Sequence, residues 1–389
     1  MKHISRAVWI LSLVSMFADI AGEMLYPVIP VYLQEIGFPV FFIGLLEGFA
    51  EAVAGLGKGY FGNWSDQMGR RIPFIKWGYF LAAVSKPMMV LSQLPLWVFM
   101  ARMTDRLGKG LRTAPRDALL SEESTLKTKA RVFSFHRGWD TLGAMLGPLI
   151  AVGFLYVYPG KLTALFYMAF IPGMAATALT FLIKEKPSGK VAAPKRSPGF
   201  LSFFKYWKTA APEYRKLMLA FIAFALFNSS DMLLVLKVKE ATGSENIALL
   251  VYILFNLVYA VASYPLGILA DKLGMKNIFL FGLALFALVY TGMAMAKTSI
   301  SFYILFGIYG VYMAATEGLS KAWISNLAQK KDTGTAVGLF VSLQSISLMI
   351  ASAFAGLIWN LYGAAATFAL TASAGATVFA FILFFIRKP

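Results

Sequence analysis

The 389-residue chain has no cysteine and only two histidines, His3 and His136. Disulfides, zinc–thiolate sites and thiol nucleophiles are excluded, and a metal centre has few ligands to draw on. Charge is also scarce. Only 14% of residues are charged, against about 25% in an ordinary soluble domain. Acids are the scarcer sign, 19 against 36 Lys+Arg, for a net charge of +17. No G-x-x-x-x-G-K-[ST] loop occurs, so this chain does no ATP-driven work. No strand pattern or GxGxxG context supports a nucleotide fold.

What the chain has is apolar mass: 59% hydrophobic residues and a mean hydropathy of +0.68. That composition excludes a disordered chain and a water-soluble globule. At ~20 residues per span, twelve helices fit the length and leave room only for short connections. The apolar runs predict helices near 7–33, 39–61, 72–91, 95–115, 131–156, 161–183, 216–238, 245–269, 275–296, 300–322, 334–359 and 363–386. The first is no signal peptide, because it is long, carries Asp19 and Glu23, and precedes eleven more.

A charge of +17 on a soluble protein would point to nucleic acid. Here the cations sit in alternate connections. With the N-terminus inside, 25 Lys/Arg fall in inside loops and 4 outside, namely Lys161, Lys237, Lys239 and Lys297. The positive-inside rule then places both termini in the cytoplasm. The expectation is a multi-pass protein of a cell membrane, of bacterial inner-membrane type, embedded in lipid and binding no nucleic acid. Between Lys184 and Lys216 lie nine cations with Pro187, Gly189, Pro194, Pro198 and Gly199. That stretch divides the chain into a bundle over 1–183, a basic linker over 184–215 and a second bundle over 216–389. Phe203, Phe204, Tyr206 and Trp207 beside Lys205 and Lys208 fit a short helix on the membrane surface or a plain linker.

The two halves repeat. Gly62-x-x-x-Asp66-x-x-Gly69-Arg70-Arg71 is echoed by Gly267-x-x-x-Asp271-x-x-Gly274-x-Lys276, an offset of 205. The same offset pairs Arg112 with Glu317, Arg116 with Lys321, Val132 with Val337 and Phe135 with Phe340. Parallel repeats of six helices are a transporter plan. The first loop resembles the signature loop of the major facilitator superfamily, and the basic centre and weaker second copy match it too. That resemblance implies an all-α fold of two six-helix halves that rock by alternating access. It also implies a gating role for Gly62, Asp66, Gly69, Arg70, Arg71 and Asp271. On elementary grounds Asp66 can accept from N–H groups at a helix start or pair with Arg70. Gly143-x-x-x-Gly147-Pro148 resembles the Gly-Pro motif of the superfamily's drug/proton antiporters. Gly143 and Gly147 form a small-residue packing face, but Ala151 and Val152 replace the motif's closing glycines.

An ionisable group inside a bilayer costs several kcal/mol unless it is paired or faces water. Asp19 and Glu23 share one helix face, and Glu47, Glu51 and Lys58 share another. Lys86 adds a cation. Arg102, Asp105, Arg106 and Lys109 form one stripe, which Arg112 and Arg116 continue. Arg106-x-x-Lys109-Gly110 resembles a pattern that the superfamily ties to proton coupling. His136, Arg137 and Asp140 cluster; His136 with Asp140 is either a proton relay or a structural pair. Asp231 and Glu317, the latter four residues from Lys321, serve the second half.

These residues predict a charge-lined cavity dominated by the N-terminal half. The carboxylates are candidate proton carriers. The cations either bind an anionic group or hold the carboxylates in place. The leading reading is a monomeric secondary transporter of a small charged or zwitterionic organic solute. It uses no cofactor or metal, takes a proton as coupling ion, and favours export as an antiporter. Proton-coupled import of an organic anion or siderophore-like solute is the alternative. A membrane-embedded lipid-modifying enzyme is the rival from another class, but Ser134 and His136 point to different helix faces. A channel is a third reading.

Overall fold

The computed structural model describes residues 4–184, 198–229 and 231–386. The middle of the basic linker, Ser230 and the terminal cations Lys2, Arg387 and Lys388 lie outside the described residues. The elements are helices: α1 Arg6–Leu25, α2 Val28–Glu35, α3 Val40–Met68, α4 Ile72–Met88, α5 Pro95–Glu122, α6 Lys129–Val157 and α7 Leu162–Thr180. After the linker come α8 Tyr206–Thr209, α9 Pro212–Ala225, α10 Asp231–Thr242, α11 Glu245–Leu273, α12 Met275–Met295, α13 Ser299–Leu327 and α14 Thr333–Phe385. No strand occurs among the described residues.

Local chemistry sets where these helices start and stop. Ser5, Ser244 and Thr298 cap α1, α11 and α13, each side-chain oxygen accepting a backbone N–H three residues on. Gly69 ends α3 at φ 61°, a left-handed residue that a side chain would strain. Two apolar runs differ from single rods, and α14 divides where the separate runs over 334–359 and 363–386 meet. The run over 7–33 breaks between α1 and α2 at Pro27, which has no N–H to continue the ladder. The run over 216–238 breaks between α9 and α10, at Asn228 and Ser229. α14 is two helices joined at Gly363, whose φ is 83°.

Seven stretches among the described residues are long and apolar enough to cross a membrane. α5 falls short on composition because it carries Arg102, Asp105, Arg106 and Lys109.

The chain forms two compact units. The first holds residues 1–123, 139–208 and 329–342; the second holds 124–138, 209–328 and 343–389. In the first, α5 packs against α3 and α4, and α1 packs against α7. The crossings of α5 run through glycine. A Cβ on Gly108 would lie 2.6 Å from the Gly78 carbonyl oxygen, and one on Gly110 would lie 3.1 Å from Gly57 Cα. Between apolar helices in lipid, such close backbone approach replaces the hydrophobic drive as the packing force. The charged helix is thus held on both flanks. In the second unit α13 packs against α11 and α12, around a buried aromatic cluster of Phe255, Tyr259, Phe286, Tyr290, Tyr309 and Tyr312.

Candidate functional site

The first unit encloses a cavity of about 130 Å³. Asp19, Glu23 and Tyr26 of the α1 end line it, with Glu51 of α3, Tyr79 and Lys86 of α4, and Arg102, Asp105, Arg106, Lys109 and Arg112 of α5. Seven of the predicted coupling residues therefore meet in one space: Asp19, Glu23, Glu51, Arg102, Asp105, Arg106 and Lys109. Glu47 joins them through Arg102, whose Nε and Nη2 donate to its two carboxylate oxygens at 2.7 and 2.6 Å. This is the bidentate geometry that makes Arg–carboxylate pairs strong.

The rest of the stripe is knitted together. Lys86 Nζ lies 2.5 Å from Asp105 Oδ1, and Arg102 Nη1 lies 3.3 Å from Asp105 Oδ2. Arg106 Nη1 lies 2.9 Å from Glu51 Oε1. Lys86, Arg102 and Arg106 are all buried. Buried charges survive only when paired, and removing one partner costs about 3–5 kcal/mol. Two cations of the cavity stand differently. The Arg112 guanidinium lies over the Tyr79 ring, 4.2 Å from its centroid, a cation–π contact. Lys109 makes no ion pair among the described residues and faces the cavity half-buried.

The signature loop forms a latch within the first unit. Asp66 accepts the backbone N–H groups of Gly334 at 3.1 Å and Thr335 at 2.5 Å, and the Thr335 hydroxyl at 2.6 Å. These donors are the unsatisfied N–H groups at the start of α14, where the helix dipole also favours an anion. The cation at Asp66 is Arg71, at 2.5 Å; Arg70 points outward, exposed. The left-handed turn at Gly69 swings Arg71 back beneath the loop, where Ser65 and Glu122 also meet it. A Cβ on Gly62 would run into the Gly334 carbonyl, and one on Gly338 would lie 2.6 Å from the Lys58 carbonyl oxygen.

The second unit carries the counterpart. Asp271 accepts the N–H groups of Ala130 at 3.0 Å and Arg131 at 3.3 Å, at the start of α6, and pairs with Arg131 Nε at 2.6 Å. Ala130 and Thr335 are 205 residues apart, the offset that relates Asp66 to Asp271. The cation differs between the two. In the first latch it comes from the loop; in the second it comes from the captured helix. Lys276, at the register of Arg71, instead donates to the Leu383 and Ile386 carbonyls.

The other candidates are not among the residues that line the cavity. Asp140 accepts from the Ser15 hydroxyl, which Arg116 also meets at 3.0 Å. His136 is buried in the second unit. Glu317 accepts from Arg137 at 2.8 Å and from the Tyr259 hydroxyl at 2.7 Å. Asp231 accepts from the Tyr309 hydroxyl at 2.6 Å. Gly143 and Gly147 press α6 against α1; a Cβ on Gly147 would lie 2.7 Å from Met24 N and 2.8 Å from the Ile20 carbonyl oxygen. Pro148 stands inside α6, which continues through it.

The described end of the linker packs on α3. Ser202–Lys205 forms a 3₁₀ turn whose Phe203 is fully buried. The site Phe203 fills is the gap beside Gly59, and Asn63 donates to the Ser202 hydroxyl at 2.8 Å. Burial, helped by Asp332 and Asp66, pushes the Tyr206 hydroxyl up to about 12.

Several site residues escaped the sequence reading. Tyr26 follows Asp19 and Glu23 at i+7 and i+3, and Tyr79 precedes Lys86 by two turns, so helical spacing contained both. Gly334-x-x-x-Gly338 was a legible small-residue face. Nothing local marked Thr335, whose role depends on a carboxylate 269 residues away.

The fold and the charged cavity define a polytopic solute carrier. A family model of the Major Facilitator Superfamily matches residues 11–238 and 217–389. An uncharacterized MFS-type transporter of Methanocaldococcus jannaschii is 31% identical over 366 residues, covering 92% of this chain and 90% of that protein. The chain belongs to the Major Facilitator Superfamily, and is a transporter rather than an enzyme. Among solved structures, the human organic anion transporter MFSD10 superposes with a TM-score of 0.83 at 16% identity, over 97% of this chain and 99% of that one. FucP in the outward conformation gives 0.80 at 12% identity over the whole of both chains. The proton:xylose symporter XylE gives 0.76 at 14% identity, over 98% and 96%. At these identities the likeness shows the fold.

Proposed function

We propose that the chain is a proton-coupled secondary transporter of a small charged or zwitterionic organic solute. The observation that carries this reading is the cavity. Five acids (Asp19, Glu23, Glu47, Glu51, Asp105) and five cations (Lys86, Arg102, Arg106, Lys109, Arg112) line it or pair into its wall. Such a wall rejects a neutral apolar solute, which would leave those polar groups desolvated and unanswered. Intramembrane carboxylates beside cations are where a proton can load and leave. The organic anion transporter among the structural neighbours moves a solute of compatible chemistry, and XylE is a proton:xylose symporter; both add support by fold alone.

In this reading the chain makes twelve crossings with both termini cytoplasmic, in a cell membrane of bacterial inner-membrane type, and works as a monomer. Residues 1–183 and 216–389 are the two rocking bundles. The Asp66 and Asp271 latches form in one access state and release in the other. Export by antiport is supported by Gly143-x-x-x-Gly147-Pro148, whose glycines seat α6 against α1 next to Glu23. The test is flux in sealed proteoliposomes with an imposed pH gradient. The substrates are charge-matched triples of one organic scaffold carrying a carboxylate, an amide or an amine. Gradient-driven movement of a charged member, lost in Arg106→Ala, is the expected result. Equal movement of the neutral member, independent of pH, overturns the reading.

A further inference from the structure

The cavity's cations divide into two groups, and the division assigns their roles. Lys86, Arg102 and Arg106 are engaged by Asp105, Glu47 and Glu51 at ion-pair distance. They are buried and serve as the charged scaffold of the wall. Lys109 and Arg112 are one turn apart on α5, both half-buried and both facing the cavity. Among the described residues neither has a carboxylate oxygen at ion-pair distance, though Lys109 is near enough to Glu51 to act on its charge. Arg112 lies over the Tyr79 ring, a cation–π contact that still allows the guanidinium to donate in its own plane. The helix beneath both cations packs closely on α4 through Gly108 and on α3 through Gly110.

We infer that Lys109 and Arg112 form the seat for an anionic group, a carboxylate or phosphate, of the transported solute. The inference deepens the proposed function and rests on it. Two cations at i and i+3 offer a flexible ammonium and a planar fork to one anion.

The test is titration calorimetry on the purified full chain in detergent. The anionic probes are benzoate, succinate and inorganic phosphate, with benzamide and benzylamine as neutral and cationic counterparts of benzoate. At least one anion is expected to bind, with benzamide and benzylamine at least tenfold weaker than benzoate if benzoate is the binder. Lys109→Gln and Arg112→Gln should each weaken that anion at least tenfold, and Lys109→Arg should restore it. Unfolding midpoints of the variants within a few degrees of the parent show that loss of binding is not loss of fold. Binding of none of the anions, preference for benzylamine, or undiminished binding by Lys109→Gln overturns the seat. Gradient-driven flux of a non-anionic solute alongside that failure would keep the transporter reading while removing the seat; absence of any flux would remove the reading itself.

Discussion

Replacing Asp66 by alanine tests the latch at its strongest point. The carboxylate is almost fully buried, receives three hydrogen bonds from Gly334 and Thr335, and pairs with Arg71. Breaking a buried pair from one side costs about 3–5 kcal/mol, because the other charge is stranded. Here Arg71 keeps Glu122 at 3.1 Å and Ser65 at 2.8 Å, so the loss is nearer about 2–3 kcal/mol. At 1.36 kcal/mol per decade, that shifts the closed-to-open ratio of the latch roughly 30- to 150-fold. The absence of cysteine gives a clean assay. Ser342→Cys is nearly isosteric, and the Ser342 hydroxyl is fully buried, donating to the Gly55 carbonyl at 2.6 Å. Maleimide labelling at that position follows the open population when reclosing outpaces reaction. Labelling of Asp66→Ala, Ser342→Cys should exceed that of Ser342→Cys alone by roughly 30- to 150-fold. An unchanged rate would show that the latch carries no free energy and that its hydrogen bonds are incidental.

Three further outcomes are expected. Glu23→Gln should abolish pH-gradient-driven flux while exchange of solute without a gradient persists; retained coupling would remove Glu23 as a proton carrier. Gly147→Val forces a side chain into the backbone of α1 at Ile20 and Met24, so overpacking should cost about 1–3 kcal/mol and lower the unfolding midpoint in detergent. An unshifted midpoint would refute the tight α1–α6 contact. Phe203→Ala empties the site beside Gly59, at a cost of up to about 3–5 kcal/mol for a fully buried aromatic ring. Trypsin should then cut at Lys205 and Lys208 sooner than in the parent; equal cleavage rates would place the linker off α3.

Periodicity and charge spacing carried a large part of the argument. The helical face of Arg102, Asp105, Arg106 and Lys109 was legible because four charges at i, i+3, i+4 and i+7 can share only one side of a helix. The repeat was legible because Asp66 and Asp271 sit in matching punctuation, with glycine before and after. Reading those features required only the geometry of a helix and the cost of an unpaired charge in lipid.

Partner choice was not legible, because it depends on distances between helices remote in sequence. Sequence proximity offered Arg70 to Asp66, but the left-handed Gly69 turns Arg71 inward and sends Arg70 to the surface. The aromatic and basic residues of the linker suited a membrane surface, and nothing local marked Phe203 to fill the gap that Gly59 leaves on α3. Most of all, the α5 stripe alone could not say which cations hold the wall and which face the solute. Glu47 and Glu51 reach Arg102 and Arg106 only because glycines bring α3 close to α5, and this leaves Lys109 and Arg112 toward the cavity. The sequence by itself determined the helices, the repeat and the face on which charge gathers, since those follow from local periodicity. Tertiary structure decided the pairing, because an ion pair is set by a few ångströms between backbones and no local pattern encodes that distance.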